Sequence, residues 1–227
     1  MKIDLHVHTV YSNDSLTPLR DVLRWAVRRQ LGAVAITDHD TIEGACSLSR
    51  TSPVPIIVGE EILTQRGEVI GLFLQEEIPP CLSSRETVSL IHQQGGLVYV
   101  PHPLDRLRRS AIGYEGLMEI IDEVDIIEAL NARVTLGIDN QLAGALARRH
   151  GLPCGAGSDA HYGFEVGRAY VEIPALADTY GLPQAETFLE SLRQGEPRGR
   201  ISSPLVHVGS AYAKVAKELM PFAHFAR

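Results

Sequence analysis

The stretch DLHVHT at residues 4–9 lies almost at the start of the chain, and its alternation decides how the rest is read. Side chains two apart on a strand share a face, so Ile3, Leu5 and Val7 are expected to point one way and Asp4, His6 and His8 the other. The apolar face would pack on helices while the two imidazoles converge inward, where one cation could hold both. Taken alone, the motif reads equally well as a half-exposed strand that happens to carry two histidines. Three later patterns decide the matter: TDHD at 37–40, PHP at 101–103 and SDAH at 158–161. The four patterns hold five of the nine histidines, and each lies at the end of an apolar run that reads as a buried strand. Strand ends are where ligands collect in barrels and open α/β sheets.

Around these motifs the chain alternates strand-like and helical patterns. Ser15 or Thr17 is expected to cap a helix with Pro18 near its start and an apolar stripe of Leu19, Val22, Leu23, Ala26 and Val27. Strands are expected over 33–37 and 55–58, the second running into Gly59, Glu60 and Glu61. A hairpin turns at 65–67 and returns through 68–74. A helix starts at Ser84, strands follow at 97–100 and 126–130, and a helix over about 137–150 leads to a strand near Cys154. Residues 170–173 alternate like an edge strand. This beat predicts a single α/β domain over 1–227, a parallel barrel or sheet with helices outside.

Composition narrows the function. A net charge of −7 argues against a nucleic-acid partner, since such binding depends on clustered Lys and Arg. It leaves small phosphorylated substrates open, because bound cations supply local positive charge. Cys46, Cys81 and Cys154 are too few and too scattered for a disulfide framework or a thiolate zinc site. With no signal peptide and no membrane span, a soluble cytoplasmic protein is expected.

Each motif has a bland alternative. Asp40 or Thr41 in TDHD could simply cap a helix. Glu60 and Glu61 could form a solvent-facing loop. If one of them bridges cations it is Glu61, which shares the parity of Gly59 and lies opposite Glu60. His102 sits in a stiff extended corner between two prolines. Asp159 and His161 repeat the spacing of His6 and His8, after small residues that leave room beside them. Gly155, Gly157 and Ala160 match a permissive dinucleotide fingerprint, but Asp159 inside that loop would repel a pyrophosphate. His92 and His150 read as surface residues, and His207 and His224 lie in an unrevealing tail. Arg106, Arg108 and Arg109 either line an entrance or face solvent. Histidine and carboxylate donors without thiolates suit Zn, Mn or Fe.

DLHVHT followed by Ser12 and Asp14, then TDHD with Gly44, GEE, PHP and GSDAH, in this order, resemble the PHP (polymerase and histidinol phosphatase) superfamily. Within it the chain looks like the compact phosphoesterase-type members, with Asn131-Ala132-Arg133 matching their asparagine-arginine element. The resemblance implies a distorted (β/α)7 barrel carrying two or three divalent transition metals. His6, His8, Glu61 and Asp159 would hold the first metal. Glu61 would bridge to a second, which also takes His102, and Asp14, His39 and His161 would hold the third. Asp14 enters by the resemblance alone. Glu68 stands where several relatives have a histidine, as a replacement ligand favouring harder ions or as the cause of a weaker site. The implied reaction is phosphoester hydrolysis of a small phosphorylated metabolite or nucleotide by metal-bound hydroxide, with Glu61, His102 and Asp159 acting through it. Arg133 and Arg168 are candidates for holding phosphate oxygens. The alternatives are C–N or C–O bond hydrolysis at the same site, and a non-catalytic metal-stabilised interaction module.

Overall fold

In the computed structural model, which describes residues 1–174 and 184–219, β1 (Lys2–Val7) is followed by α1 (Leu19–Arg28), β2 (Ala33–Ile36), α2 (Glu43–Ser49) and β3 (Ile56–Leu63). Next come β4 (Glu68–Leu72), α3 (Ser84–Gln93), β5 (Leu97–Val100), α4 (Gly113–Ile120), β6 (Ile126–Asn131), α5 (Gly137–Arg149) and β7 (Cys154–Gly157). The described chain finishes with β8 (Ala169–Glu172), α6 (Ala185–Leu192), β9 (Glu196–Gly199) and α7 (Val206–Leu219). His224 lies outside the described residues.

The strands form one sheet in the order β7-β6-β5-β4-β3-β2-β1-β8-β9. Beyond its last strand residue β7 comes back to β1. Val7 bridges Ala160, the His8 amide donates to the Ala160 carbonyl (2.9 Å), and the Asp159 amide donates to the His6 carbonyl (2.8 Å). The wall therefore closes beside the histidines, giving the distorted seven-stranded barrel expected. Its distortion has a local cause. The link between β3 and β4 is a hairpin rather than a helix, so β4 runs antiparallel to both β3 and β5. At the other end, β8 pairs with Lys2 and Ile3 and carries β9 on its far side. The expected edge strand at 170–173 is thus paired on both sides, and β9 is the outer one.

The expected facing of β1 needs correction. Ile3 and Leu5 pack with Ala33, Ala35, Ile57, Ile70, Tyr99, Ile126 and Ala156, a cluster drawn from all seven barrel strands and hence its interior. Phe188 and Leu192 of α6 belong to that cluster too. Asp4 and Val7 sit beside Val34 and Ile36 of β2, with an extra β1 residue between them. This bulge breaks strict alternation, which is why Leu5 and His6 can both serve the interior while Val7 packs with Val22 and Ala26 of α1. Asp4 ties strands together instead of facing the site. It accepts from the Ser158 amide (2.8 Å) and hydroxyl (2.5 Å) and from the Gly167 amide (2.7 Å).

Helix capping also differs from expectation. α1 begins after Pro18 with no side-chain cap, because the hydroxyls of Ser15 (3.2 Å) and Thr17 (2.6 Å) donate to the His161 carbonyl. α3 starts at Ser84 as expected, and Ser83 caps it in a reciprocal box with Glu86. No helix among the described residues is long and apolar enough to cross a membrane.

Candidate metal centre

β1 delivers His6 and His8 with their tautomers set. His6 Nδ1 lies 3.2 Å from Glu128 Oε1, and His8 Nδ1 lies 2.9 Å from Ser12 Oγ. Ser12 spends its own hydrogen on Asp38 Oδ1 (3.0 Å), so its oxygen is left to accept. Both imidazoles therefore carry the proton on Nδ1 and turn their Nε2 lone pairs inward, 3.0 Å apart. Two lone pairs at that separation repel unless a proton or a cation is shared between them. The same two nitrogens face Glu61 Oε2 at 3.3 and 3.2 Å and Asp159 Oδ1 at 3.7 and 3.5 Å.

β3 continues past its expected end through Gly59, Glu60 and Glu61, and this extension makes the strand parity decisive. Glu61 points into the cluster. Glu60 turns away and accepts from the Ile78 amide at 2.9 Å. Glu61 faces two directions at once, with Oε1 3.1 Å from His102 Nε2 and Oε2 3.4 Å from His39 Nδ1. Glu68, the first residue of β4, approaches His102 (3.7 Å) and His39 (4.0 Å). Asp14 Oδ2 lies 2.9 Å from His161 Nε2 and 3.5 Å from His39 Nε2. His102 (φ 28°) and Asp159 (φ 52°) hold backbone angles in the left-handed region, a strain of order 1–3 kcal/mol each that recurs at functional sites.

All nine residues nominated as ligands are brought together. One donor atom from each of His8, Asp14, His39 and His161 lies within 4.8 Å of the others, and the same holds for His6, His8 and Glu61, for His6, His102 and Asp159, and for His39, Glu61 and Glu68. The groups overlap, His8 standing with His6 and Glu61 as well as with Asp14, His39 and His161, and His39 standing also with Glu61 and Glu68. Asp14 Oδ1, Glu68 Oε2, His102 Nδ1 and Asp159 Oδ1 are buried without a hydrogen-bond partner among the described residues. Buried imidazole nitrogens and orphaned carboxylate oxygens, with no thiolate among them, fit hard to borderline divalent cations.

The charge balance points the same way. Burial alone would raise Glu61, yet His6 and His39 draw it well below the carboxylate range. Burial alone would lower His39, but Glu61 and Asp14 overcome it and hold the imidazole up at about 10. At His161 burial outweighs the pull of Asp14 and pushes the ring down to about 4. Protons on some of these rings are thus balancing buried carboxylates, a task that cations perform equally well.

Among the arginines the structure departs from expectation. Arg168 is not brought to the cluster, and its guanidinium leans on the Ile201 carbonyl at 3.4 Å. Arg108 takes that place. It contacts Asp159 through one terminal nitrogen and His102 Nε2 through the other (3.0 Å). Arg106 instead pairs with Asp139 on the barrel's flank (2.9 Å). Arg133 is buried and donates to the Val206 carbonyl (2.8 Å) and Ser210 Oγ (3.0 Å). Arg108, Arg133, His39, His161 and His207 share the wall of a cavity of about 410 Å³ that opens over the cluster.

Glu128 was missed by the sequence reading. It accepts from Tyr99 Oη (2.7 Å), the His102 amide (2.7 Å) and Asn131 Nδ2 (2.9 Å) while holding His6. An acid interrupting the apolar run IIEAL was the available signal.

Comparison with known proteins agrees with this geometry. Residues 4–140 match the PHP domain and residues 137–197 a PHP-associated segment. An uncharacterised protein of Methanocaldococcus jannaschii, MJ0417, is 36% identical over 179 residues, covering 78% of this chain and 72% of the relative. Among solved structures, a Bacteroides vulgatus two-domain protein containing a predicted PHP-like metal-dependent phosphoesterase superposes with a TM-score of 0.71 at 17% identity, covering 94% of this chain and 69% of that one. An amidohydrolase from Chromobacterium violaceum, with bound sulfate and no metal, gives 0.60 at 20% identity, covering 85% and 97%. At such identities the two structures speak for the fold alone. The family pattern runs from Asp4 through every motif up to Asn140, the Methanocaldococcus relative shares it across most of the chain, and the chain belongs to the PHP domain family.

Proposed function

We propose that this protein is a metal-dependent phosphoesterase acting on a small phosphorylated substrate. The observation that carries the reading is Arg108, a guanidinium brought against His102 and Asp159 at the base of the cavity. A planar cationic fork beside a donor set for divalent ions suits a phosphoryl group, whose non-bridging oxygens accept paired N–H bonds. Arg133 on the same wall supplies a second fork. The phosphoesterase prediction attached to the Bacteroides neighbour, and the sulfate in the Chromobacterium one, are consistent with an oxyanion site.

The nine donor residues, Glu61 and Glu68 among them, would hold two or three Mn, Zn or Fe ions. Such ions supply a Lewis acid that activates water and draws charge from the phosphoryl group. The chain's own residues do the rest. Glu128 and Ser12 keep His6 and His8 oriented, Arg108 and Arg133 grip the phosphoryl oxygens, and the buried floor limits bulk water. The amidohydrolase name of one neighbour favours C–N cleavage as the competing reading. Metal-loaded protein set against a panel of phosphomonoesters and a panel of amides and lactones separates the two. Phosphate release supports the proposal, and turnover confined to the second panel overturns it.

A further inference from the structure

Above the donor floor, the cavity has a second wall that metal and phosphate binding leave unused. Ser110, Thr135, His207 and Ser210 line it, and among the described residues Leu107 is the one large apolar residue lining the space. His207 and Ser210 come from α7, which is fixed over the site at both ends. Arg133 donates to the Val206 carbonyl and to Ser210 Oγ, and Lys217 Nζ donates to the carbonyls of Val10 (2.6 Å) and Ser12. Between them Gly209 lies so close to Tyr162 that an added Cβ would sit 1.6 Å from its hydroxyl. The wall is therefore built into the fold.

Its hydrogen-bonding capacity is specific. His207 Nε2 lies 3.1 Å from the Arg133 carbonyl, which can only accept, so that nitrogen carries the proton. Burial and the nearby Arg133 guanidinium push the ring below its ordinary value, keeping it neutral. A neutral ring bound in this way offers its Nδ1 as an acceptor. An ionised phosphate oxygen has no hydrogen to give an acceptor, whereas an alcohol has. The hydroxyls of Ser110 and Thr135 make no hydrogen bond to a described residue, and Ser210, which accepts from Arg133, keeps its hydrogen free to donate. A wall of one imidazole acceptor and three hydroxyls matches a ligand that carries several hydroxyls.

We propose that His207, with Ser110, Thr135 and Ser210, binds the hydroxyls of the leaving alcohol, making the substrate a phosphomonoester of a polyhydroxylated, sugar-like alcohol. This inference rests on the phosphoesterase reading and narrows it. These groups are half-buried, and hydrogen bonds that only a hydroxylated substrate makes to them would favour it over an analogue lacking hydroxyls.

The test compares D-ribose 5-phosphate with tetrahydrofurfuryl phosphate, which keeps a similar ring and primary phosphoester but has no hydroxyls. The metal-loaded full chain is expected to prefer the ribose ester at least tenfold in kcat/KM. His207→Leu and Thr135→Val should each bring that ratio several-fold closer to one. Equal kcat/KM for the two esters, or a preference unchanged in both variants, overturns the inference while leaving phosphoester hydrolysis standing. If neither ester is hydrolysed and a wider phosphomonoester panel is also inert, the phosphoesterase reading fails and this inference falls with it.

Discussion

Single side chains carry much of the account, and two make the sharpest predictions. Arg108 and Arg168 are both arginines near the mouth in sequence terms, yet only Arg108 reaches the donor floor. Arg108→Ala is expected to lower kcat/KM for phosphomonoesters by about 10- to 100-fold, the loss of one or two charge-assisted hydrogen bonds. Arg168→Ala should leave it unchanged, so steady-state kinetics on the pair checks the assignment. Glu60 gives a test of stability. Burial raises its carboxyl from an ordinary 4.5 to about 7. As pH climbs, the unfolded chain ionises this group first. The stability it contributes is complete below about 4.5, is lost between there and about 7, and stays lost above. Glu60→Gln keeps the acceptor for the Ile78 amide. The variant should exceed the parent by roughly 1–3 kcal/mol at pH 8 and match it near pH 4 in urea unfolding.

At the scale of elements, the strands explain why the site is so crowded and so exact in facing. β7 is built of small residues because its neighbours crowd it, Tyr99 and Ile126 at Gly155 and His6 of β1 at Gly157. A Cβ on Gly157 would lie 2.2 Å from the His6 Cβ and 2.7 Å from Glu128 Oε1. Gly157→Ala is therefore expected to destabilise the fold by about 2–4 kcal/mol and to weaken metal binding, read by thermal unfolding and by metal titration. Strand ends and their motifs were legible in the sequence because His6, His39, His102 and Asp159 each follow an apolar run. The parity of Glu60 and Glu61 was legible too, since β3 keeps regular alternation across them. The facing of Ile3 and Leu5 was not, because the bulge in β1 depends on pairing with β2, which local periodicity does not encode. Glu128 stayed hidden for a related reason, and Arg108 was legible only as a residue that lines an entrance or faces solvent. Each acts through a residue distant in sequence, His6 for the first and Asp159 for the second. α4, α6 and α7 were not anticipated. α7 in particular is held over the site by long-range contacts from Arg133 and Lys217, which no local pattern reveals.

Across the whole molecule, barrel closure and site assembly are one event. The Val7–Ala160 bridge that joins the last barrel strand to the first also sets Asp159 beside His6 and His8. Closure thus gathers many buried carboxylates and imidazoles whose desolvation only protons or cations can offset. Cations that bind the folded state alone should stabilise it by mass action, by about 2.7 kcal/mol at a hundredfold excess over Kd. A rise in Tm on adding Mn to chelator-treated protein checks this. The most direct measurement of the central claim is phosphate release from a phosphomonoester by one preparation assayed as purified, after chelation, and after Mn is restored. The account predicts that release stops on chelation and returns with Mn. Release that continues at full rate in the metal-free protein would contradict it.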